Sequence, residues 1–260
     1  MKKIYTLLCI ALCVYTSPTT CSSTNTAAIQ KEILNLLVSH SLLKGVNLSV
    51  SDLENALLAS AEARYPVDSN HFSLVYTLLN YSSQSGVVIT PSGLGTAVVE
   101  AAISSPREVI QLLLNHSLQS SIMLSATDVQ NALNNAAMNR DILTDQQIEV
   151  VHLLLRYAIK NNLTLTASGL GSTLNEAASA TQKEVVNIVL NYALDNNISI
   201  NVADIETALV SAAKELESPS SDQIEIIYLL LRYAVRSNTT LTASGLGDAV
   251  IQSVTVVNTP

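Results

Sequence analysis

The chain has 260 residues, 48% of them hydrophobic and only 13% charged, with eight Gly, six Pro and no Trp. Scarce Gly and Pro beside abundant Leu, Ile, Val and Ala exclude collagen-like and disordered classes, and the length allows one or two domains with sizeable cores. Thirteen Lys and Arg stand against 21 Asp and Glu, a net charge of −8, and no basic run follows the first three residues; nucleic acid and anionic membrane surfaces are therefore poor partners.

In chain order, residues 1–22 read as a secretory leader. Lys2 and Lys3 form its charged start, and residues 4–14 an apolar stretch too short to span a bilayer. The expected localisation is export, either secretion or residence in the periplasm or cell envelope. Cys21 opens a second reading, in which an acylated cysteine at a new N-terminus tethers an envelope structural or assembly protein. Against it, Pro18-Thr19-Thr20 differs from the small and apolar residues that usually precede such a cysteine. Cys9, Cys13 and Cys21 are the whole cysteine complement. From Ser22 onward there is neither a disulfide framework nor a cysteine-based metal site. Residues 23–27 read as a short linker, 28–253 as the folded body and 254–260 as a C-terminal tail.

The body repeats itself. Ser92-Gly93-Leu94-Gly95 recurs as Ser168-Gly169-Leu170-Gly171 and Ser244-Gly245-Leu246-Gly247, each 76 residues on. The same shift carries Glu32 onto Glu108 and Glu184, Asp52 onto Asp128 and Asp204, and Tyr81 onto Tyr157 and Tyr233, without a gap. Repeats of this kind decide the whole fold. Three units result, 27–102, 103–178 and 179–253, each with two similar halves. A single helix near 28–40 comes first. Each half then supplies a short helix with small residues on one face, at 55–61, 96–102, 131–137, around Thr173-Leu174, and 207–213. A second, strongly apolar helix follows, as at 149–155 and 225–231, opened by Glu32, Glu108, Glu149, Glu184 or Glu225, whose charge complements the helix dipole.

Ser51 with Glu54, and Thr127 with Gln130, have the spacing of a capping box. Between halves, Leu163 and Leu165, or Ile198 and Ile200, alternate with polar residues as in short strands or hairpin arms. In alternate halves about six further residues separate the helices, within 138–148 and 214–224. A last helix is expected near 245–253.

The Ala101-Ala102 to Glu108 and Ala177-Ala178 to Glu184 spacing, with the Glu-Val-Val-His-Leu-Leu-Leu run from Glu149, resembles the ankyrin repeat family. The resemblance covers 27–253. It implies an all-α, helical-hairpin solenoid with short extended loops between repeats. This sequence departs from the family in lacking the Pro and His of the first helix, in placing Ala158, Ala193 and Ala234 where the family usually has Gly, and in its longer linkers.

Catalytic groups should be singular, whereas structural ones should recur. His40 and His116 share a column with Tyr192, and His152 shares one with Tyr76 and Tyr228, so all three are interchangeable with Tyr and read as amphipathic packing residues near helix surfaces. His71 has no evident counterpart and reads as part of an inserted loop; with no second His nearby it is a weak metal ligand. No Gly-x-Ser-x-Gly elbow or Ser–His–Asp arrangement occurs. The Gly-x-Gly pairs lack the third Gly and the Lys of a phosphate loop and read as turns into helices. Asn47, Asn80, Asn115, Asn162, Asn197 and Asn238 head six Asn-x-Ser/Thr sequons where roughly four would arise by chance in so Asn-, Ser- and Thr-rich a chain, and they read as background.

What remains is surface. Ankyrin-like stacks grip proteins with the exposed face of their first helices and with loop tips. The resemblance therefore implies a protein-binding face at Glu100, Asn135, Glu176 and Ser211, with Lys160, Asn161, Asn162, Asn196, Asn197, Arg236 and Asn238 at the tips. The expected function is that of a secreted, non-enzymatic protein-binding scaffold, such as a bacterial protein that meets host proteins, with no metal or cofactor.

Overall fold

The computed structural model describes residues 23–62, 69–104, 107–138, 144–214 and 220–254. The leader, Cys21 and residues 255–260 lie outside them. Twelve helices are described: α1 (Ser23–Lys44), α2 (Val50–Ala61), α3 (Ser69–Ser85), α4 (Pro91–Ser104), α5 (Arg107–Gln119), α6 (Ala126–Met138), α7 (Thr144–Lys160), α8 (Ala167–Ser179), α9 (Lys183–Asp195), α10 (Val202–Ala213), α11 (Ser221–Arg236) and α12 (Ala243–Val254). The all-α expectation holds for these residues, and none of them forms a strand. No described helix is long and apolar enough to cross a membrane.

The contacts arrange the helices in two rows. The even-numbered helices α2, α4, α6, α8, α10 and α12 pack successively against one another and form an inner row. The outer row runs α1, α3, α5, α7, α9, α11. Five pairs tie the rows together: α2 with α3, α4 with α5, α6 with α7, α8 with α9, and α10 with α11. Sequence chemistry explains the layering. The inner helices carry small residues where neighbours press closest, so Ala97, Ala101, Ala132, Ala136, Ala177 and Ala208 are buried. The internal outer helices α3, α5, α7 and α9 are apolar on most of their circumference because they meet two neighbours in their own row and one behind. In α7, Val150, Val151, Leu154, Leu155, Tyr157 and Ala158 are all buried. A single cluster of buried apolar side chains runs from Val38 to Tyr233.

The links are fixed by one device repeated three times. Tyr157 Oη lies 2.6 Å from Ser117 Oγ and accepts the Leu124 N–H at 3.1 Å, while Ser117 Oγ donates to the Ile122 carbonyl. Tyr81 does the same with Ser41 and Leu48, both at 2.8 Å. In the third copy Ala193 replaces the serine, and Tyr233 itself donates to the Ile198 carbonyl at 3.2 Å while accepting the Ile200 N–H at 3.1 Å. Backbone groups that a strand would have paired are thus satisfied by side chains. This is why the alternation of Ile198 and Ile200 yields an anchored extended link instead of the expected strand or hairpin arm; Leu163 and Leu165 also lie in an extended link, and Leu165 and Ile200 are buried as single pegs.

Three expectations about helix starts are corrected. Residues 23–27 belong to α1 and are not a linker. The N-caps are elsewhere. Ser49 and Ser125 are the caps, accepting the N–H of Asp52 and Asp128 at 3.1 and 3.0 Å. Ser51 and Thr127 already lie inside the first turns. Glu54 and Gln130 reach forward to the next inner helix, where Glu54 accepts the Thr90 N–H at 2.7 Å and Gln130 Nε2 donates to Thr166 Oγ1 at 2.8 Å. The residues separating the helices in alternate halves also turn out partly helical: α7 and α11 begin at Thr144 and Ser221, about a turn ahead of Glu149 and Glu225.

His71 is likewise not in a loop. It sits in the first turn of α3, 76 residues before Gln147 and 152 before Gln223. Gln147 and Gln223 donate from Nε2 to the Ala136 and Ala212 carbonyls at 3.2 Å, closing the end of the preceding inner helix. His71 therefore has counterparts, and the column is a structural one.

Candidate protein-binding face

Each internal helix of the inner row, α4, α6, α8 and α10, is covered on three sides, by two neighbours in its row and by its outer partner, so one stripe is left open. Glu100, Asn135, Glu176 and Ser211 lie at the edge of that stripe and are all half-buried. Asn135 is also engaged, its Nδ2 donating to the Val99 carbonyl of α4 at 2.9 Å. The fully exposed column lies one turn earlier: Asn55, Thr96, Asn131, Ser172, Thr207 and Asp248. These six residues recur every 41 and 35 residues by turns, the spacing of the two halves, and that alternation is the signal in the sequence that marks them as one column. Apart from Asp248 the column is uncharged, and Glu100 and Glu176 beside it add the negative charge of the face.

The tip residues divide differently from the expectation. Asn162, Asn197 and Asn238 have φ of +51°, +54° and +54°, in register with Gly45, Gly86 and Ser121 at +65°, +74° and +55°. In each case among the three asparagines the next residue's N–H bonds back five positions into the helix, Leu163 to Ala158, Ile198 to Ala193 and Thr239 to Ala234. This is the Schellman ending, whose left-handed residue is best supplied by Gly or Asn. It also accounts for Ala158, Ala193 and Ala234: the helices continue past them, so the left-handed residue falls four positions later. Asn161 and Asn196 donate to the Tyr157 and Tyr192 carbonyls at 2.9 and 2.8 Å. These five asparagines therefore have a role in ending helices. Lys160 and Arg236 are exposed at the last turns of α7 and α11.

Those two cations belong to a feature that the sequence reading does not single out. Two grooves between outer helices repeat in register, one lined by Gln111, Asn115, Arg156 and Lys160, the other by Asn187, Asn191, Arg232 and Arg236. The first unit is neutral at these positions, with Asn80 and Gln84 where the cations stand. In an acidic chain these four cations make the outer row locally basic. They also sit towards helix C-termini, where a positive charge is favourable in itself.

The Gly-x-Gly pairs prove to be points of close approach. A Cβ at Gly93, Gly169 or Gly245 would overlap the side chain of Glu54, Gln130 or Glu206 from the preceding inner helix. A Cβ at Gly95 or Gly171 would overlap the carboxylate of Asp128 or Asp204 from the following one. They are helical, not turns before a helix.

The histidines are dispersed. His116 is buried, its Nε2 3.4 Å from Ser120 Oγ, and burial lowers its pKa below the ordinary value of 6.5. Its counterpart Tyr192 is buried too, with its pKa raised by desolvation. His40 and His152 are exposed. Among the described residues no group of three His, Cys, Asp or Glu side chains gathers to hold a metal ion. The outer row is further tied by ion pairs between successive helices. Arg107 pairs with Glu149, and Lys183 lies 2.9 Å from Asp222 and 3.2 Å from Glu225, carboxylates that hold its pKa well above the usual lysine range. No family model, curated protein or solved structure matches this chain.

Proposed function

We propose that the chain is an exported, non-enzymatic protein-binding scaffold of ankyrin-like build, which grips a partner protein through the open stripe of its inner row. The observation that carries this reading is the exposed column Asn55, Thr96, Asn131, Ser172, Thr207 and Asp248. It runs the length of the array and changes identity from copy to copy, while the buried columns of the same helices, such as Leu57, Val98, Leu133, Leu174 and Leu209, stay aliphatic. Side chains that packing does not dictate are the ones free to encode a partner. Small uncharged hydroxyl and amide groups suit a partner surface rich in backbone and polar side-chain hydrogen-bonding groups. Asn135 joins the face as a support for Val99 more than as a contact.

The test is affinity capture of partners from extracellular or envelope extracts with the full chain, followed by a binding titration. Combined replacement of Asn131, Ser172 and Thr207 by Arg should weaken binding at least about tenfold, since central residues dominate such interfaces, and should leave the helical circular dichroism spectrum unchanged. Binding that survives this change but is lost on replacing Arg156 and Arg232 by Ala would move the site to the outer row and refute the proposal.

A further inference from the structure

Among the described residues the two ends of the array are unpaired, and each lacks what the other has. Among the described residues α1 is an outer helix whose main contact is α3, with no inner helix packed against it to the extent of the internal pairs, and α12 is an inner helix resting on α10, with no outer helix packed against it to that extent. By the 76-residue shift α12 corresponds to α4 and α8, while α1 corresponds to α5 and α9. The missing pair is thus α12 with α1, the equivalent of α4 with α5 and of α8 with α9.

Exposure supports this column by column. Leu246, Val250 and Val254 of α12 are 41%, 61% and 56% exposed, whereas their counterparts Leu94, Val98 and Ala102, and Leu170, Leu174 and Ala178, are at most 5% exposed. Ile33 and Leu37 of α1 are 42% and 65% exposed, against at most 1% for Val109, Leu113, Val185 and Val189. Both ends therefore keep the apolar residues of an internal junction, where a terminal repeat in a soluble array ordinarily carries a polar outer face.

A third observation is independent of hydrophobicity. Gly95 and Gly171 are each covered by an aspartate of the next inner helix, Asp128 or Asp204, but Gly247 has nothing within 4 Å. The aspartate of the same column that lacks a described glycine is Asp52, exposed at the start of α2.

We propose that copies of this chain associate head to tail, α12 of one copy pairing with α1 of the next, and the next copy's Asp52 closing over Gly247. The outer-row contact follows from the same register. Leu231 of α11 is 39% exposed, while Leu79 and Leu155 are buried on helices that have a following outer helix packed on them; in the assembly the next copy's α1 covers it. The contact uses two different surfaces, so it does not close on itself as a twofold dimer does. It propagates in one direction with the spacing of the internal repeats.

Sedimentation velocity of the full chain over about a hundredfold range of concentration tests this, because such a contact obeys mass action. The mean mass should at least double across the range. Leu37→Glu and Val250→Glu, each at an exposed position, should each leave a monomer with unchanged circular dichroism. Their equimolar mixture should regain association but stop at dimers, since each variant keeps the end the other has lost. Gly247→Val, which meets nothing in the single chain, should weaken association by blocking Asp52. A monomer at every concentration overturns the proposal. So does assembly abolished by Leu37→Glu but untouched by Val250→Glu, which would be a like-with-like contact, and so does assembly that starts only after removal of residues 255–260, which would give the α12 face to the chain's own tail.

Discussion

The phenol hydroxyl that ties each link to its helices offers the sharpest stability test, because the three copies solve one problem in two ways. In the second copy the Leu124 N–H is held by Tyr157, and the Ile122 carbonyl is held separately by Ser117. Tyr157→Phe therefore orphans one buried N–H and removes the partner of a buried serine. In the third copy both backbone groups depend on Tyr233, so Tyr233→Phe orphans a donor and an acceptor together. A buried polar group left unsatisfied costs about 1–3 kcal/mol. Since Ile198 is only half-buried, its carbonyl recovers some hydration. Tyr157→Phe should thus cost about 1–3 kcal/mol and Tyr233→Phe about 1 kcal/mol more, read from urea unfolding at unchanged m-value. A serine at 193 would stand where Ser41 and Ser117 stand and should take over the Ile198 carbonyl. Ala193→Ser should then recover about 1 kcal/mol in the Tyr233→Phe background and little in the parent chain, a coupling that a double-mutant cycle reads directly. Equal costs for the two Phe variants, or a serine effect independent of the tyrosine, would refute the reasoning.

Leu154, fully buried in the middle of the outer row, should lose about 2–5 kcal/mol on Leu154→Ala; unchanged melting would mean that α7 is not held between neighbours. Gly95→Ala should destabilise by displacing the Asp128 carboxylate from Ser125, to whose Oγ it is bonded at 2.7 Å, whereas Gly247→Ala, in open space, should stabilise the single chain by about 0.5–1 kcal/mol through helix propensity alone; thermal unfolding at low concentration checks the opposite signs. His116 has a folded pKa below its unfolded 6.5 because burial disfavours the charged ring, so the unfolded chain binds more protons below that pH, and His116's contribution to stability, present above about 6.5, should fall as the pH drops through the folded value. His116→Tyr, which copies Tyr192, should change stability at pH 7 by less than about 1.5 kcal/mol and flatten the dependence between about pH 7 and 5 measured by urea titration; an unaltered slope would assign it to other groups.

The 76-residue period, the split of each unit and the five helix pairs flanked by single helices are properties of the order of residues along the chain. Self-comparison reads them with no knowledge of space, because equivalent positions must do equivalent jobs in a stack. The apolar second helices announce their burial in the same way, since no helix with the run 149–155 can face water on most sides. The caps, the left-handed asparagines and the roles of the glycines are not legible there. Each depends on which helix end a residue occupies, and a helix that runs on past Ala158 turns Asn162 from a free tip into a stop signal. Glu54 and Gln130 carry a local capping pattern, yet their partners lie 36 residues away in the next helix, within reach only once the inner row is assembled. The candidate face shifts by one turn for the same reason. Small-residue pairs mark where helices touch, but which adjoining positions are left to solvent is decided by how deeply neighbouring helices sink together, and only the tertiary structure shows that depth.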